Sequence, residues 1–181
     1  DAVRCTLAAR EAQGRDINMS ESRVEGYRNF ATKLWNAARF CEANGCVRDP
    51  AFDPAACRGT VNRWIVGETA RAAAATAKAL EAYSFNEAAN AVYQFAWGVF
   101  CDWFVEFSKP VLNGPDGAGK DETRATAAWV LEQILGLLHP FMPFVTEELW
   151  ARLDEHRAEP LITAPWPELD DAALQYEQAS A

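Results

Sequence analysis

Four long segments of this 181-residue chain carry apolar side chains at the spacing of an amphipathic helix. They lie at about 22–44, 60–82, 85–109 and 121–138, and shorter helical stretches are predicted at about 1–12 and around Glu147 to Trp150. No segment shows the convincing two-residue alternation of a strand. Because short or moderate loops join the long segments, the sequence predicts an all-α fold, an antiparallel helical bundle.

Capping signals and a proline set the predicted helix boundaries. Ser22 with Glu25, and Ser84 with Glu87, have capping-box spacing at the starts of the second and third long helices. Pro110 is expected to end the third long helix. Seven apolar residues of that helix are predicted to face the core: Ala89, Val92, Ala96, Val99, Phe100, Trp103 and Phe107.

A helical wheel divides the second helix into two sides. The arc predicted to face the core holds Val24, Tyr27, Ala31, Leu34, Trp35, Ala38 and Cys41. Nearly opposite lie Asn29, Lys33, Asn36 and Phe40, flanked by Arg28 and Arg39. Amides and arginines hydrogen-bond base edges and phosphates, and an aromatic ring stacks on an unpaired base, so this face has the parts of a nucleic-acid site. From the residues alone, an ordinary solvated face with one packed Phe stays open as the alternative.

The charge distribution permits a localised contact with nucleic acid but argues against a general binder. The net charge is −9. Residues 1–48 hold eight Lys and Arg against six Asp and Glu, whereas residues 49–181 hold nine against twenty. The basic excess therefore coincides with the second helix, and the acidic remainder disfavours unspecific phosphate binding.

No catalytic or metal site is predicted. The five cysteines form no C-x-x-C pair and lie far in sequence from both histidines, which argues against zinc and favours free thiols in a reducing, cytoplasmic compartment. His139 is interpreted as a helix-end residue, and Asp102, Glu106 and Lys109 as bundle salt bridges. The Gly-rich loop 113–120 lacks phosphate-loop spacing. No apolar run reaches the length of a membrane span.

Several motifs resemble valyl-tRNA synthetases in the region that follows their catalytic domain. The most specific are GRDI at 14–17 and RVEGYRNFATKLWNAARF at 23–40. Three further stretches agree: DAVRCTLA at 1–8, YSFNEAANAVYQFAWGVFCDWFVEFSKP at 83–110 and LLHPFMPFVTEELW at 137–150. The resemblance spans residues 1–167.

The resemblance implies a helical bundle that binds the anticodon stem-loop of valine tRNA. It implies anticodon contacts from Lys33, Arg39 and Phe40, to which the shared arc adds Asn29 and Asn36. Arg15, Arg23 and Arg28 are candidates for the tRNA backbone. The expected parts are the end of a stem-contact region and linker (1–20), the anticodon-binding bundle (21–153) and an acidic, proline-punctuated extension (154–181).

The resemblance also implies functions that this chain lacks by itself. The HIGH and KMSKS motifs, the catalytic and editing domains and the coiled coil of the family are not recognisable here. We therefore expect an excised, catalytically inactive part of a valine–tRNA ligase, with no cofactor of its own. ATP and magnesium would be used by the parent enzyme. The catalytic and coiled-coil domains of the same chain are the expected protein partners.

Two other functions are compatible with the sequence. An isoleucyl- or leucyl-type anticodon-binding bundle shares the fold and would differ in anticodon preference. A helical protein-interaction module would bind no RNA and would cover Phe40 with a protein partner. A monomer is expected, because no heptad seam is exposed.

Overall fold

The computed structural model describes residues 1–10, 20–154, 157 and 159–169 and consists of helices joined by short connections. The α-helices are α1 (Ala2–Arg10), α2 (Glu21–Ala43), α3 (Thr60–Glu81), α4 (Phe85–Gln94), α5 (Val105–Leu112), α6 (Ala118–Leu138) and α7 (Pro143–Leu153). A π-helical segment, Phe95–Phe104, joins α4 to α5 without a break, and 3₁₀ turns lie at Pro54–Ala56 and Leu161–Thr163. The predicted all-α fold is confirmed.

The long helices alternate in direction. The end of α2 lies beside the start of α6, where Arg124 Nε donates a hydrogen bond to the carbonyl of Asn44 at 2.8 Å. The start of α6 also lies beside the start of α3, because the Glu122 carboxylate accepts the backbone N–H of Gly59 at 2.8 Å. A tight turn reverses the chain between α3 and α4. The end of α2, the starts of α3 and α6 and the end of α5 therefore meet at one end of the bundle, which we call the α2 C-terminal end.

One apolar core joins these helices. Its largest fully buried side chains include Phe30 and Leu34 of α2, Ile65 of α3, Phe100 and Phe104 of the π-helical segment, and Leu131 and Ile134 of α6. Small residues of α3 and α4, such as Ala73 and Ala88, are also buried and let these two helices approach closely. No helix in the described part of the chain has the length and hydropathy to cross a bilayer.

The helix starts differ from the predicted capping boxes. Helix α2 begins at Glu21 after Ser20, so Ser22 lies inside the helix, and the Ser20 side chain makes no cap hydrogen bond. Ser84 does precede α4 as predicted, yet its side chain makes no cap hydrogen bond either. The capping-box predictions were therefore wrong in their hydrogen bonds, although the helices begin close to the predicted positions.

The third long helix departs further from the prediction. It continues through Pro110 and ends at Leu112, so the predicted stop was wrong. Over its π-helical segment the backbone bonding follows an i→i+5 pattern, which changes the side-chain period. Phe95, Phe100 and Phe104 are buried as a result, while Trp103 and Phe107, predicted to face the core, are exposed.

Both ends of the described chain are fastened to α7. The Asp1 carboxylate accepts the backbone N–H groups of Phe144 and Val145 at 3.0 and 2.7 Å, and α1 packs against α2 and α4. After α7 the chain returns along the surface, where the Glu147 carboxylate accepts the N–H of Leu161 at 2.7 Å. Because Leu161 is buried, this part of the predicted 154–181 extension contributes to the core.

Candidate nucleic-acid interface

The last turn of α2, which carries Arg39 and Phe40, is held by a complete C-terminal cap. Gly45 adopts φ +71°, the N–H of Cys46 donates to the carbonyl of Cys41 at 2.9 Å, and the N–H of Gly45 donates to Glu42 at 3.0 Å. These are the two hydrogen bonds of a Schellman motif. Asn44 Nδ2 adds a hydrogen bond to the carbonyl of Phe40 at 2.8 Å. The backbone at the α2 C-terminal end is therefore well defined.

The buried side of α2 is rotated from its predicted position. Its buried residues are Phe30, Leu34, Ala37, Ala38 and Cys41, whereas Val24, Tyr27, Ala31 and Trp35 are half-buried. On a wheel of 100° per residue, the buried arc is shifted by roughly 50° from the predicted arc. Phe30 was not placed in the core by the wheel, yet it is completely buried, packed edge-on against Tyr93 with the ring centroids 4.8 Å apart.

Four of the candidate RNA-binding side chains face solvent. Asn29, Asn36, Arg28 and Arg39 are exposed along α2. Arg39 also borders a small cleft against α7, where the guanidinium carbon of Arg152 lies 4.8 Å from the Trp35 ring centroid. This surface offers amide donors and acceptors and cationic groups over about three turns of the helix.

Lys33 and Phe40 lie closer to the bundle than their predicted positions. Lys33 forms a salt bridge with Asp102, and its Nζ lies 4.1 Å from the ring centroid of Trp97. Phe40 is half-buried against the core, and Lys109 Nζ lies 5.9 Å from its ring centroid. Both residues therefore lie in the groove between α2 and the third long helix. Nothing in the sequence spacing indicated the Lys33–Asp102 pairing, because the two residues are 69 positions apart.

The remaining candidates lie at or beyond the border of this surface. Arg23 is half-buried near the start of α2. Arg15 lies outside the described residues, as does the GRDI stretch. The predicted pair of Glu106 with Lys109 is confirmed, with Lys109 Nζ 2.6 Å from Glu106 Oε1.

The described residues outside α2 include buried thiols and one histidine at a helix end. Burial raises the pKa of the Cys5 thiol to about 12 and that of Cys101 to about 12, which keeps both protonated. His139 ends α6 as predicted and contacts the Thr146 hydroxyl through Nδ1 at 2.8 Å. Among the described residues there is no group of three or more His, Cys, Asp or Glu side chains that could hold a metal ion. The arrangement on α2 is suited to binding, through hydrogen bonds and stacking.

A separate cavity of about 680 Å³ lies between α6, α7 and the returning C-terminal segment. Its wall includes Trp129, Trp150 and Trp166. Arg157 also lines this cavity. Its guanidinium carbon lies 3.5 Å from the Trp150 ring centroid, and its Nη2 donates a hydrogen bond to Glu132 Oε1 at 2.6 Å. This stack and ion pair fasten the segment after α7 to the bundle.

Comparisons with known proteins show the family to which the chain belongs. Residues 62–181 match the family model described as the anticodon-binding domain of tRNA ligase. The chain is 59% identical over 172 residues to a valine–tRNA ligase of Caulobacter vibrioides, covering 93% of this chain and 19% of that protein. It is 59% identical over 166 residues to the valine–tRNA ligase of Rhodopseudomonas palustris, covering 92% and 17%.

A solved structure shares the fold. The leucyl-tRNA synthetase of Agrobacterium radiobacter K84, in a ternary complex with tRNA and LeuAMS, superimposes with a TM-score of 0.69 at 21% identity, covering 96% of this chain and 20% of that one. The chain thus spans about a fifth of the length of the proteins it resembles. Because the family model matches about two thirds of its residues, the chain belongs to the family of tRNA-ligase anticodon-binding domains.

Proposed function

We propose that this chain binds the anticodon stem-loop of valine tRNA, as part of a longer valine–tRNA ligase. The observation that carries the proposal is the exposed row of Asn29, Asn36 and Arg39 on α2, ending at Phe40 beside the capped helix terminus. The high identity to valine–tRNA ligases supports valine over leucine or isoleucine as the specificity.

Each side chain of the interface has a proposed role. Phe40 stacks on an unpaired base, and Lys33 lies on the other side of that base or at its phosphate. Arg39 donates to a base edge or phosphate, and Asn29 and Asn36 read base edges, because an amide both donates and accepts hydrogen bonds. Arg28 and Arg23, together with Arg15, contact the backbone.

The other activities of such an enzyme are assigned to the rest of the longer protein. We propose that ATP, magnesium and valine bind there, and that the catalytic and coiled-coil parts contact this bundle within one chain. The five cysteines are all free and buried thiols, which supports a reducing cytoplasmic compartment. A monomer is proposed, and sedimentation equilibrium of the chain tests it.

The test is a titration of the chain at low salt with a valine anticodon stem-loop and with a control loop that differs only in the anticodon bases. We expect the valine loop to bind more tightly. Phe40→Ala should weaken its binding by ~1–3 kcal/mol, the contribution of one base stack. Equal binding to both loops would contradict anticodon reading, and a lack of binding to either would contradict an RNA-binding role for the chain.

Two further variants distinguish a loss of base stacking from a loss of folding as the cause of weaker binding. Phe40 is half-buried, so Phe40→Leu keeps most of its apolar volume while removing the ring. It should bind as weakly as Phe40→Ala and melt close to the parent chain. Phe144→Ala is the matched control, because Phe144 is 78% exposed at the start of α7. It should leave binding unchanged.

A further inference from the structure

Two large aromatic side chains face solvent on the third long helix. Trp103 is 57% exposed and Phe107 is 47% exposed, and their ring centroids are 5.5 Å apart. Phe107 also contacts Trp64 of α3, and these two ring centroids are 6.2 Å apart. We call Trp64, Trp103 and Phe107 the aromatic strip. A contiguous exposed apolar patch of this kind is typical of a binding surface.

The strip borders the groove that contains Phe40. Asp102, which precedes Trp103, holds Lys33 of α2. Two residues after Phe107, Lys109 extends its Nζ to 5.9 Å from the Phe40 ring centroid. Two ion pairs, Lys33 with Asp102 and Lys109 with Glu106, therefore separate the strip from the exposed face of α2. A single bound loop of RNA could contact both surfaces.

The backbone places these rings outward. With regular α-helical spacing, Trp103 and Phe107 would share the inward face with Phe100. The π-helical segment changes that spacing, so Phe100 and Phe104 fill the core and Trp103 turns to solvent. Inserted π turns occur frequently at functional sites. The outward direction of Trp103 thus follows from the fold of the segment and is not the result of a mobile side chain.

The size and charge of the strip favour a nucleotide base as its occupant. A stable protein–protein interface buries at least about 1,200 Å² in total, far more than three partly covered rings provide. A single base needs only one ring face, and every base has such a face. Lys33 is paired with Asp102, the residue before Trp103, and Lys109 follows Phe107 by two residues, so both ammonium groups can approach the phosphates that flank a stacked base.

We propose that Trp103 and Phe107 form a second stacking platform, which takes an unpaired base of the anticodon loop adjacent to the base held by Phe40. This inference rests on the proposed function, since it requires the same RNA. The only polar groups of the strip are the indole N–H donors of Trp64 and Trp103, which do not pair a donor with an acceptor as an amide does, so the strip contributes affinity and loop geometry and does not distinguish one base from another.

The experiment combines protein variants with an abasic scan of the valine stem-loop. Trp103→Ala and Phe107→Ala are titrated against the intact loop and against loops that lack one base at each position in turn. Trp103→Phe keeps a ring and serves as the conservative control, and Phe144→Ala controls for loss of an exposed aromatic elsewhere. Because Trp103 is more than half exposed, its truncation should leave the melting temperature close to that of the parent chain.

We expect Trp103→Ala to weaken binding of the intact loop about five-fold or more, and Trp103→Phe to restore most of the affinity. At one abasic position the effect of Trp103→Ala should disappear, because the base that it stacks on is already gone. That position should differ from the one at which the effect of Phe40→Ala disappears.

Other results overturn the inference. If Phe40→Ala weakens binding while Trp103→Ala and Phe107→Ala bind like the parent chain, the strip takes no base, and the proposed function still stands. If the effect of Trp103→Ala is the same at every abasic position, Trp103 acts indirectly and the platform is refuted. If the parent chain binds neither the valine loop nor the control loop, the proposed function fails and the platform fails with it.

Discussion

At the residue scale, Lys33 has a carboxylate partner on the neighbouring helix, Asp102, in the chain without RNA. Its salt bridge with Asp102 is partly exposed, and exposed pairs contribute only about 0–1 kcal/mol, so exchange of this partner for a phosphate costs little. We predict that Asp102→Asn strengthens binding of the valine loop by roughly 0.3–1 kcal/mol, because it removes both the competing partner and a negative charge. Lys33→Met should weaken binding. Titration by fluorescence anisotropy measures both.

The control for Asp102→Asn is Glu81→Gln, which removes one exposed negative charge at the far end of α3. It should change binding much less, because screening attenuates exposed charges beyond about 10 Å. Equal effects of the two variants would mean that net charge alone, and not the Lys33 partner, sets the affinity.

His139 gives the folded bundle a dependence on pH. Partial burial lowers its pKa from the ordinary 6.5, with Glu147 opposing the change and Arg4 adding to it. The unfolded chain therefore binds a proton more readily at this site, so the contribution to stability is complete above about pH 6.5 and is lost as the pH falls below it. We predict a decrease in the free energy of unfolding between about pH 7 and pH 5, measured by urea denaturation.

His139→Asn tests this assignment, because an amide can replace the Nδ1 contact with Thr146 and does not titrate. The variant should lose the part of the pH dependence that lies just below neutrality. His156 remains in both proteins, so the difference between them isolates His139. Identical pH profiles would assign the effect to other groups.

At the scale of elements, Glu122 fastens the start of α3 to α6. Its carboxylate accepts the N–H groups of Arg58 and Gly59 at 2.9 and 2.8 Å and the Asn62 amide at 2.7 Å. Gly59 precedes α3 and has no side chain to cap it, so Glu122 fills that role from another helix. Glu122→Ala should destabilise the bundle by about 1–3 kcal/mol, and Glu122→Gln by less.

Glu122 also makes the stability of the bundle depend on pH in acid. Partial burial alone would raise the pKa of Glu122, but the hydrogen bonds from Asn62 and the two backbone amides outweigh it and lower the pKa from its ordinary 4.5. Its stabilisation is therefore present above about pH 4.5 and is lost as the pH falls below that value. Urea denaturation of the parent and of Glu122→Gln should converge in acid. A constant difference at every pH would contradict the role of the charge.

The positions of the elements could be predicted from the sequence, whereas their detailed bonding could not. Apolar spacing located α2, α3 and α6 to within a few residues, because each buries one face against a single core. The π-helical segment at 95–104 was not predictable, since its apolar residues also fit an α-helix and the packing of Phe95, Phe100 and Phe104 decides between the two. Pro110 lies inside a helix that ends only two residues later, at Leu112, and its missing N–H removes one backbone hydrogen bond from that last turn.

The candidate site, like the fold, was only partly predictable from the sequence. The exposure of Asn29, Asn36 and Arg39 follows from the period of one helix and was predictable. The pairing of Lys33 with Asp102 depends on how two distant helices pack, which no local pattern encodes. The exposure of Trp103 was missed for the same reason, since the wheel assumed an α-helical period throughout.

At the scale of the whole molecule, alternating helix directions bring several of the candidate groups to the α2 C-terminal end. Phe40 comes from the end of α2, Trp64 from the start of α3, and Phe107 and Lys109 from the end of the third long helix. No one of these helices carries a complete interface. The bundle brings these groups together at the α2 C-terminal end, and we propose that a single RNA loop contacts them.

The whole-molecule charge predicts a weak dependence of RNA binding on salt. The net charge is −9, and three cations in the described part of α2 are proposed phosphate contacts, namely Arg28, Lys33 and Arg39. Each phosphate contact contributes about 0.7–0.9 to the slope of log affinity against log salt concentration, so we predict a slope of about −2 to −3 for the valine loop.

Variants show which contacts contribute to the salt dependence of binding and which contribute to base recognition. Arg28→Gln should weaken the valine and control loops alike and reduce the slope by about 0.7–0.9, because a phosphate contact carries no sequence information. Phe40→Ala should weaken binding with the slope unchanged, since stacking releases no counterions. Lys78→Gln, which removes an exposed cation in the last turn of α3, outside the proposed interface, is the matched control and should leave the slope as it is. If Arg28→Gln instead abolishes the preference for the valine loop at constant slope, Arg28 reads a base, and the exposed face of α2 extends its sequence recognition by one residue beyond Asn29 toward the start of the helix.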